Sequence, residues 1–113
     1  MTETKFMDEL KWDKKFALEQ AADDAELLDE LLEIFRQSYA SDLGIIENGI
    51  NSGDSNLVRG AAHSIRGAAA SLGILGIRDI AQSIEIDARE GSLLIARKQY
   101  EVLLSMKEKL VYL

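Results

Sequence analysis

The chain of 113 residues contains one histidine and no cysteine. Side-chain chemistry near neutral pH therefore centres on His63, whose imidazole can serve as nucleophile, proton carrier or metal ligand. His63 opens a small-residue, helix-forming stretch, His63-Ser64-Ile65-Arg66-Gly67-Ala68-Ala69-Ala70-Ser71-Leu72-Gly73. At about 100° per residue, Val58, Ala61, Ala62, Ile65, Ala68, Ala69 and Leu72 share one apolar stripe. Arg59, Gly60, His63, Arg66, Gly67, Ala70 and Ser71 fall on the other side. His63 thus points outward. A lone exposed histidine is ordinarily a solvated surface residue; its neighbours set this one apart. Gly60 and Gly67 lie about one turn before and after it, where a side chain would stand roughly 5–6 Å from the imidazole. Each costs about 1 kcal/mol relative to alanine in a helix interior, so the pair suggests room kept open for something to approach.

A partner for the imidazole can be found by counting. His63 lies about 15 Å back from the turn at Gly73, and the residues at its level on a returning helix are Gln82 to Asp87. Glu85 is the best placed acid among them. A carboxylate accepting the Nδ1 proton fixes the tautomer, leaves the lone pair on Nε2 and makes Nε2 the nucleophile. Arg66, one turn from His63 on the same face, places a guanidinium near the oxygens of a phosphoryl group attached at Nε2. The plain alternatives are a solvated Arg66 contributing charge alone and a surface Glu85; for Glu85 the hairpin count favours the role of imidazole partner. A single histidine without cysteine excludes a His-rich metal site, a disulfide frame and thiol chemistry, so no intrinsic metal is expected.

The composition bounds the setting. Apolar residues make up 47% and charged residues 29%, and there is no proline, which suits a globular, all-α chain. At this length one domain, residues 1–113, is expected, burying about two-thirds of its unfolded surface. The net charge of −7, with 20 acids against 13 bases, argues against nucleic acid and for a basic or neutral protein partner. No apolar run approaches the roughly 18 to 20 residues of a membrane span, and an amino terminus with Glu3, Asp8 and Glu9 has no signal-peptide shape. No membrane association and a cytoplasmic location are expected.

The elements that must position His63 follow from the 3.6-residue pattern. Residues 1–12, with Phe6, Met7, Leu10 and Trp12, read as an arm packed across one end of the fold. Asp13 caps a short helix over 13–22, with Phe16, Ala17 and Gln20 turned inward. Asp23 and Glu26 have capping-box spacing before a helix of about 27 residues carrying Leu27, Leu28, Leu31, Leu32, Phe35, Tyr39, Leu43, Ile46 and Ile50, with Gly44 and Gly49 weakening its end. Asn51-Ser52-Gly53-Asp54 is a turn and cap, and the His63 helix spans about Ser55–Leu72. After Gly73 and Gly76, Ile77, Ile80, Ala81, Ile84 and Ala88 mark a helix to Gly91. Ser92 caps a last one with Leu93, Ala96, Tyr100, Leu103, Leu104, Lys107, Leu110 and Val111 inward, Lys107 by its aliphatic stem. The expected architecture is all-α: an antiparallel up-and-down four-helix bundle over 23–112 with a short additional N-terminal helix.

Ala62-His63-Ser64-Ile65-Arg66-Gly67, Leu72-Gly73 and Ile84-Glu85 together resemble the histidine-containing phosphotransfer (HPt) family over roughly residues 20–112. That family has a four-helix bundle with an exposed histidine, a basic residue three positions on, glycine four on, Leu-Gly before the next helix, and a Glu or Gln bonded to the imidazole. Arg66 departs from the commoner lysine; charge is kept while donor geometry changes. The resemblance implies a phosphorelay carrier: His63 accepts a phosphoryl group from a receiver-domain aspartate and passes it to another receiver. It implies response-regulator receiver domains and a hybrid sensor histidine kinase as partners, and Mg²⁺ on the receiver rather than on this chain. Arg59, Gly60, His63, Ser64, Arg66, Gly67, Ala70 and Ser71 form the partner-binding face of an expected monomer. Without a Gly-rich nucleotide loop the chain is expected to be a carrier and not an enzyme. The alternative is a non-phosphorylated helical adaptor binding a signalling partner through the same face. The phosphoacceptor helix pair of a sensor kinase, by contrast, follows its histidine with an acid and ends in Thr-Pro, where this chain has Ser64 and Gly67.

Overall fold

The structure is a computed structural model and describes residues 9–113. Among these, five α-helices follow in order: α1 (Lys14–Gln20), α2 (Ala25–Ser52), α3 (Ser55–Ser71), α4 (Leu75–Arg89) and α5 (Leu94–Lys109), ending in a 3₁₀ turn at Leu110–Tyr112. Helices α2 to α5 form an antiparallel four-helix bundle in which each packs on the next and α2 closes the ring on α5. The 41 Å long dimension matches the about 42 Å expected of α2's 28 residues at 1.5 Å each.

Local chemistry sets most boundaries. The Asp13 carboxylate accepts the Phe16 amide at 3.0 Å and starts α1. Asp54 accepts from Asn56 and Leu57 and starts α3, directly after Gly53 ends α2 in the left-handed conformation. At the head of α5, Ser92 Oγ accepts the Leu94 amide and donates to Asp87, whose Oδ2 also accepts the Ile95 amide. Ser92 therefore shares its cap with a residue of α4.

Several expectations are corrected. Asp24, not Asp23, caps α2, accepting from the Glu26 and Leu27 amides. Ala22 and Asp23 both have positive φ, so the chain is still turning at Asp23 and the capping-box spacing misleads by one residue. Gln20 and Phe16 face solvent, while Ala17 and Ala21 are buried. Leu27 is exposed rather than core. Gly49 does not loosen α2; a Cβ there would stand 2.6 Å from Val58 Cγ2, so the glycine lets α3 approach. On α5 the inward positions are Leu103, Met106, Lys109 and Leu110, while Lys107 and Val111 are exposed. The expected stripe drifted by one residue, and the tightening to 3₁₀ turns Val111 outward.

One apolar core runs through the bundle, from Leu28, Leu32, Phe35, Tyr39, Leu43 and Ile46 of α2 to Ile65, Ile77, Ile84 and Leu103. Tyr39 donates its hydroxyl to the Leu103 carbonyl at 2.6 Å, and Tyr100 donates to Glu47 at 2.7 Å; both bonds tie α2 to α5. The described part of the N-terminal arm packs as expected: Leu10 is fully buried and Trp12 Nε1 donates to the Leu72 carbonyl at 3.0 Å. Phe6 and Met7 lie outside the described residues.

Candidate functional site

Helix α3 faces inward through Val58, Ala61, Ala62, Ile65 and Ala69, all buried. This one-sided packing fixes the helix rotation and leaves the His63 side chain 63% exposed. Arg59, Gly60, Ser64, Gly67 and Ser71 are exposed on the same side, with Arg66 and Ala70 half-buried. A Cβ built at Gly60 or at Gly67 would meet nothing within 4 Å. Neither glycine serves packing within the chain.

Across the hairpin, the fully buried Ile84 anchors α4 and sets its neighbour Glu85 against α3. The Glu85 side chain is only 5% exposed. His63 Nδ1 lies 2.7 Å from Glu85 Oε2, and Arg66 Nε donates to Glu85 Oε1 at 2.5 Å. Burial pushes the Glu85 carboxyl up, but the hydrogen bonds and charges of Arg66 and His63 outweigh it and hold the group below the usual glutamate range. An ionised carboxylate can only accept, so Nδ1 carries a proton, and in the neutral imidazole the lone pair is then on Nε2. Arg66 Nη2 also approaches Nδ1 at 3.1 Å. Since Nδ1–H has no lone pair to offer, that approach is a contact along the ring edge rather than a second hydrogen bond.

The structure thus brings His63, Glu85 and Arg66 together, but Arg66 sits differently from the sequence expectation. Its guanidinium lies against Glu85 and the Nδ1 edge of the ring, not beside Nε2. A buried carboxylate attracts it more strongly than open solvent. Two further groups escaped the sequence reading. Arg89, one turn beyond Glu85 on α4, places Nη2 at 3.4 Å from Glu85 Oε2; the i, i+4 spacing was a usable signal. Asp42 of α2, half-buried, has its carboxyl raised by burial and partly lowered again by a hydrogen bond from Ser64. No local spacing points to that contact across helices. Beside the face, Ala68, Ser71 and Leu72 border a groove of about 320 Å³ closed by Leu31, Ile34, Phe35 and Ser38 of α2 and by Gln20. Ile34, which stands outside the apolar stripe of α2, is 63% exposed there.

Among the described residues, no group of three or more His, Cys, Asp or Glu could hold a metal ion, and no helix is long and apolar enough to cross a membrane.

An exposed histidine on the second helix of an antiparallel four-helix bundle, bonded through Nδ1 to a buried acid on the third, defines a histidine phosphotransfer architecture. The chain belongs to the Hpt domain family, whose model matches residues 30–111. Members of this family are phosphocarriers in the histidine phosphorelays of two-component signalling and interact there with receiver domains and kinases. The fold is similar to that of histidine-containing phosphotransfer protein B (HptB) from Pseudomonas aeruginosa PAO1, with a TM-score of 0.81 and 20% identity over 88% of this chain and 87% of that one. A search of curated protein sequences returned no significant match.

Proposed function

We propose that His63 is the phosphorylated residue, accepting a phosphoryl group at Nε2 from an aspartyl phosphate on one receiver domain and passing it to another. The observation that carries this reading is the 2.7 Å contact between His63 Nδ1 and Glu85 Oε2. It supports a lone pair at Nε2, on a side chain that is 63% exposed between two glycines where a Cβ would meet nothing within 4 Å. In transfer, the Nε2 lone pair forms the N–P bond as the O–P bond of the acyl phosphate breaks and the partner's carboxylate departs. Nδ1 keeps its proton, so the ring becomes a cation facing the Glu85 carboxylate. Arg66 adds positive charge for the phosphoryl oxygens, and Mg²⁺ arrives with the receiver. The chain acts as a monomeric cytoplasmic carrier without a nucleotide site of its own, receiving phosphate through a hybrid sensor kinase.

Incubation with a phosphorylated receiver domain tests the reading, with acid and alkali treatment of the labelled product. Label on the wild-type chain that survives alkali but not acid is the expected result. His63→Gln is expected to abolish acceptance completely with the fold intact, because the opposite face of α3 carries the core. Undiminished labelling of a folded His63→Gln variant sinks the reading.

A further inference from the structure

Glu85 is a buried anion with three basic partners and two oxygens. Arg66 Nε occupies Oε1 at 2.5 Å, while Oε2 receives His63 Nδ1 at 2.7 Å and Arg89 Nη2 at 3.4 Å. A carboxylate this buried stays ionised only while it is paired. During transfer it must be ionised, because it faces the positive charge that the phosphorylated ring acquires when Nδ1 retains its proton. Arg66 has a conflicting duty. Its guanidinium lies along the Nδ1 edge, whereas a phosphoryl group is attached at the other ring nitrogen. An Arg66 that swings from the Nδ1 edge toward the phosphoryl oxygens comes off Oε1 and leaves the buried acid short of a donor at the moment its charge matters most.

We infer that Arg89 is a positioning residue that takes over the Glu85 carboxylate when Arg66 leaves it for the phosphoryl group, and so keeps the Nδ1–H···Oε2 bond in place throughout transfer. This rests on the phosphotransfer reading above. Arg89 is suited to the part by its place and its looseness. It stands one turn from Glu85 on the same helix, so its approach does not depend on how α3 and α4 adjust. The present 3.4 Å separation is long for a charge-assisted bond and leaves room to tighten. With its side chain 59% exposed, it is not locked in the core. Arg66 and Arg89 are thus unequal: one holds Glu85 before phosphorylation, the other after it.

The test uses the full chain phosphorylated by phosphoramidate, with two readouts: the lifetime of the phosphohistidine, and ¹⁵N-resolved NMR of the His63 ring before and after phosphorylation. In Arg89→Ala the unphosphorylated ring is expected to keep the wild-type tautomer, because Arg66 still holds Glu85. After phosphorylation its Nδ1–H signal is expected to be lost to exchange with solvent, and the lifetime to fall about threefold or more. Arg89→Lys, which restores a cation, is expected to bring both back. A merely structural role for Arg89 would disturb the ring in both states or in neither. A phosphorylated Arg89→Ala variant with the wild-type lifetime and Nδ1–H signal overturns the inference and leaves the phosphotransfer reading standing. A wild-type chain that takes no label at His63 overturns both.

Discussion

The bundle uses buried charge at two levels, and its α3–α4 hairpin uses glycine at the same two, to opposite ends. At its turn, a Cβ on Gly76 would run into the Glu9 carbonyl and stand 3.0 Å from that of Leu10. The space that the glycine leaves is filled by the chain itself: Gly76 N donates to the Leu10 carbonyl at 2.8 Å and Asp13 N to the Gly73 carbonyl at 2.9 Å. At the level of His63, the space beside Gly60 and Gly67 is empty. The buried charges divide the same way. Lys109 is buried at the bundle end against the half-solvated acid Glu9, an arrangement that joins the arm to α5. Glu85 is a buried acid ringed by three exposed or half-exposed bases, an arrangement that orients a ring toward solvent. A glycine or a buried charge does not by itself mark a site. What occupies the space around it decides.

Gly76→Ala offers the largest way to break this comparison. The added methyl meets backbone rather than a movable side chain, so a loss of about 2–4 kcal/mol in unfolding free energy is expected. Denaturant titration measures it, and a neutral result would show that residues 9–13 are not seated against the turn. Gly67→Gln should do the reverse. Helix propensity is expected to raise stability by up to about 1 kcal/mol, while a side chain leaning over the turn that contains His63 slows transfer from a receiver at least about tenfold. Thermal unfolding and transfer kinetics on the same preparation separate the effects: a destabilised variant means a packing glycine, and undiminished transfer means that the partner docks elsewhere. Arg66→Ala removes one half-exposed cation but leaves the nucleophile. Transfer is expected to slow, or phosphate loss to quicken, by about threefold to tenfold; wild-type kinetics would reduce Arg66 to a solvated residue.

The sequence pattern shows clearly where short-range chemistry decides. The Asp13 and Asp54 caps, the Gly53 turn and the face of α3 all follow from spacing within one or two turns. So does the level of Glu85, because a helical hairpin of known rise has little freedom along its axis. What escaped depends on neighbours that spacing does not reach. Asp42 and Ser64 meet only once α2 lies beside α3, and the exposure of Leu27 depends on which helices stop short of covering it. The inward drift from Lys107 to Met106 and Lys109 follows from how α5 rotates as it meets the arm. Arg66 shows the limit most sharply. Its helix face is legible, but its orientation follows from competition between a buried carboxylate and water, and burial is not written in the spacing of one helix.

The smallest expected effect is a pH dependence of the buried Glu85 cluster. Glu85 is held below the usual glutamate range in the folded chain, burial opposing the shift and the Arg66 and His63 contacts prevailing. A depressed folded value means that the unfolded state binds the proton more readily. The stabilisation is therefore fully present above the ordinary glutamate value of about 4.3 and is lost as pH falls through the lower, folded one. In Glu85→Gln the amide oxygen can still accept the Nδ1 proton, but the titrating charge is gone. Wild type is expected to exceed Glu85→Gln in unfolding free energy at pH 7 by on the order of 1 kcal/mol, since the bases around the carboxylate remain partly solvated and screened. That gap is expected to close on acidification below about pH 4. Denaturant titrations of both proteins from pH 7 to about pH 3 follow it. A gap that stays constant would mean that the Glu85 cluster acts through shape alone. A gap that widens in acid would mean that the folded carboxyl binds its proton more readily than the unfolded one, so that burial outweighs the Arg66 and His63 contacts.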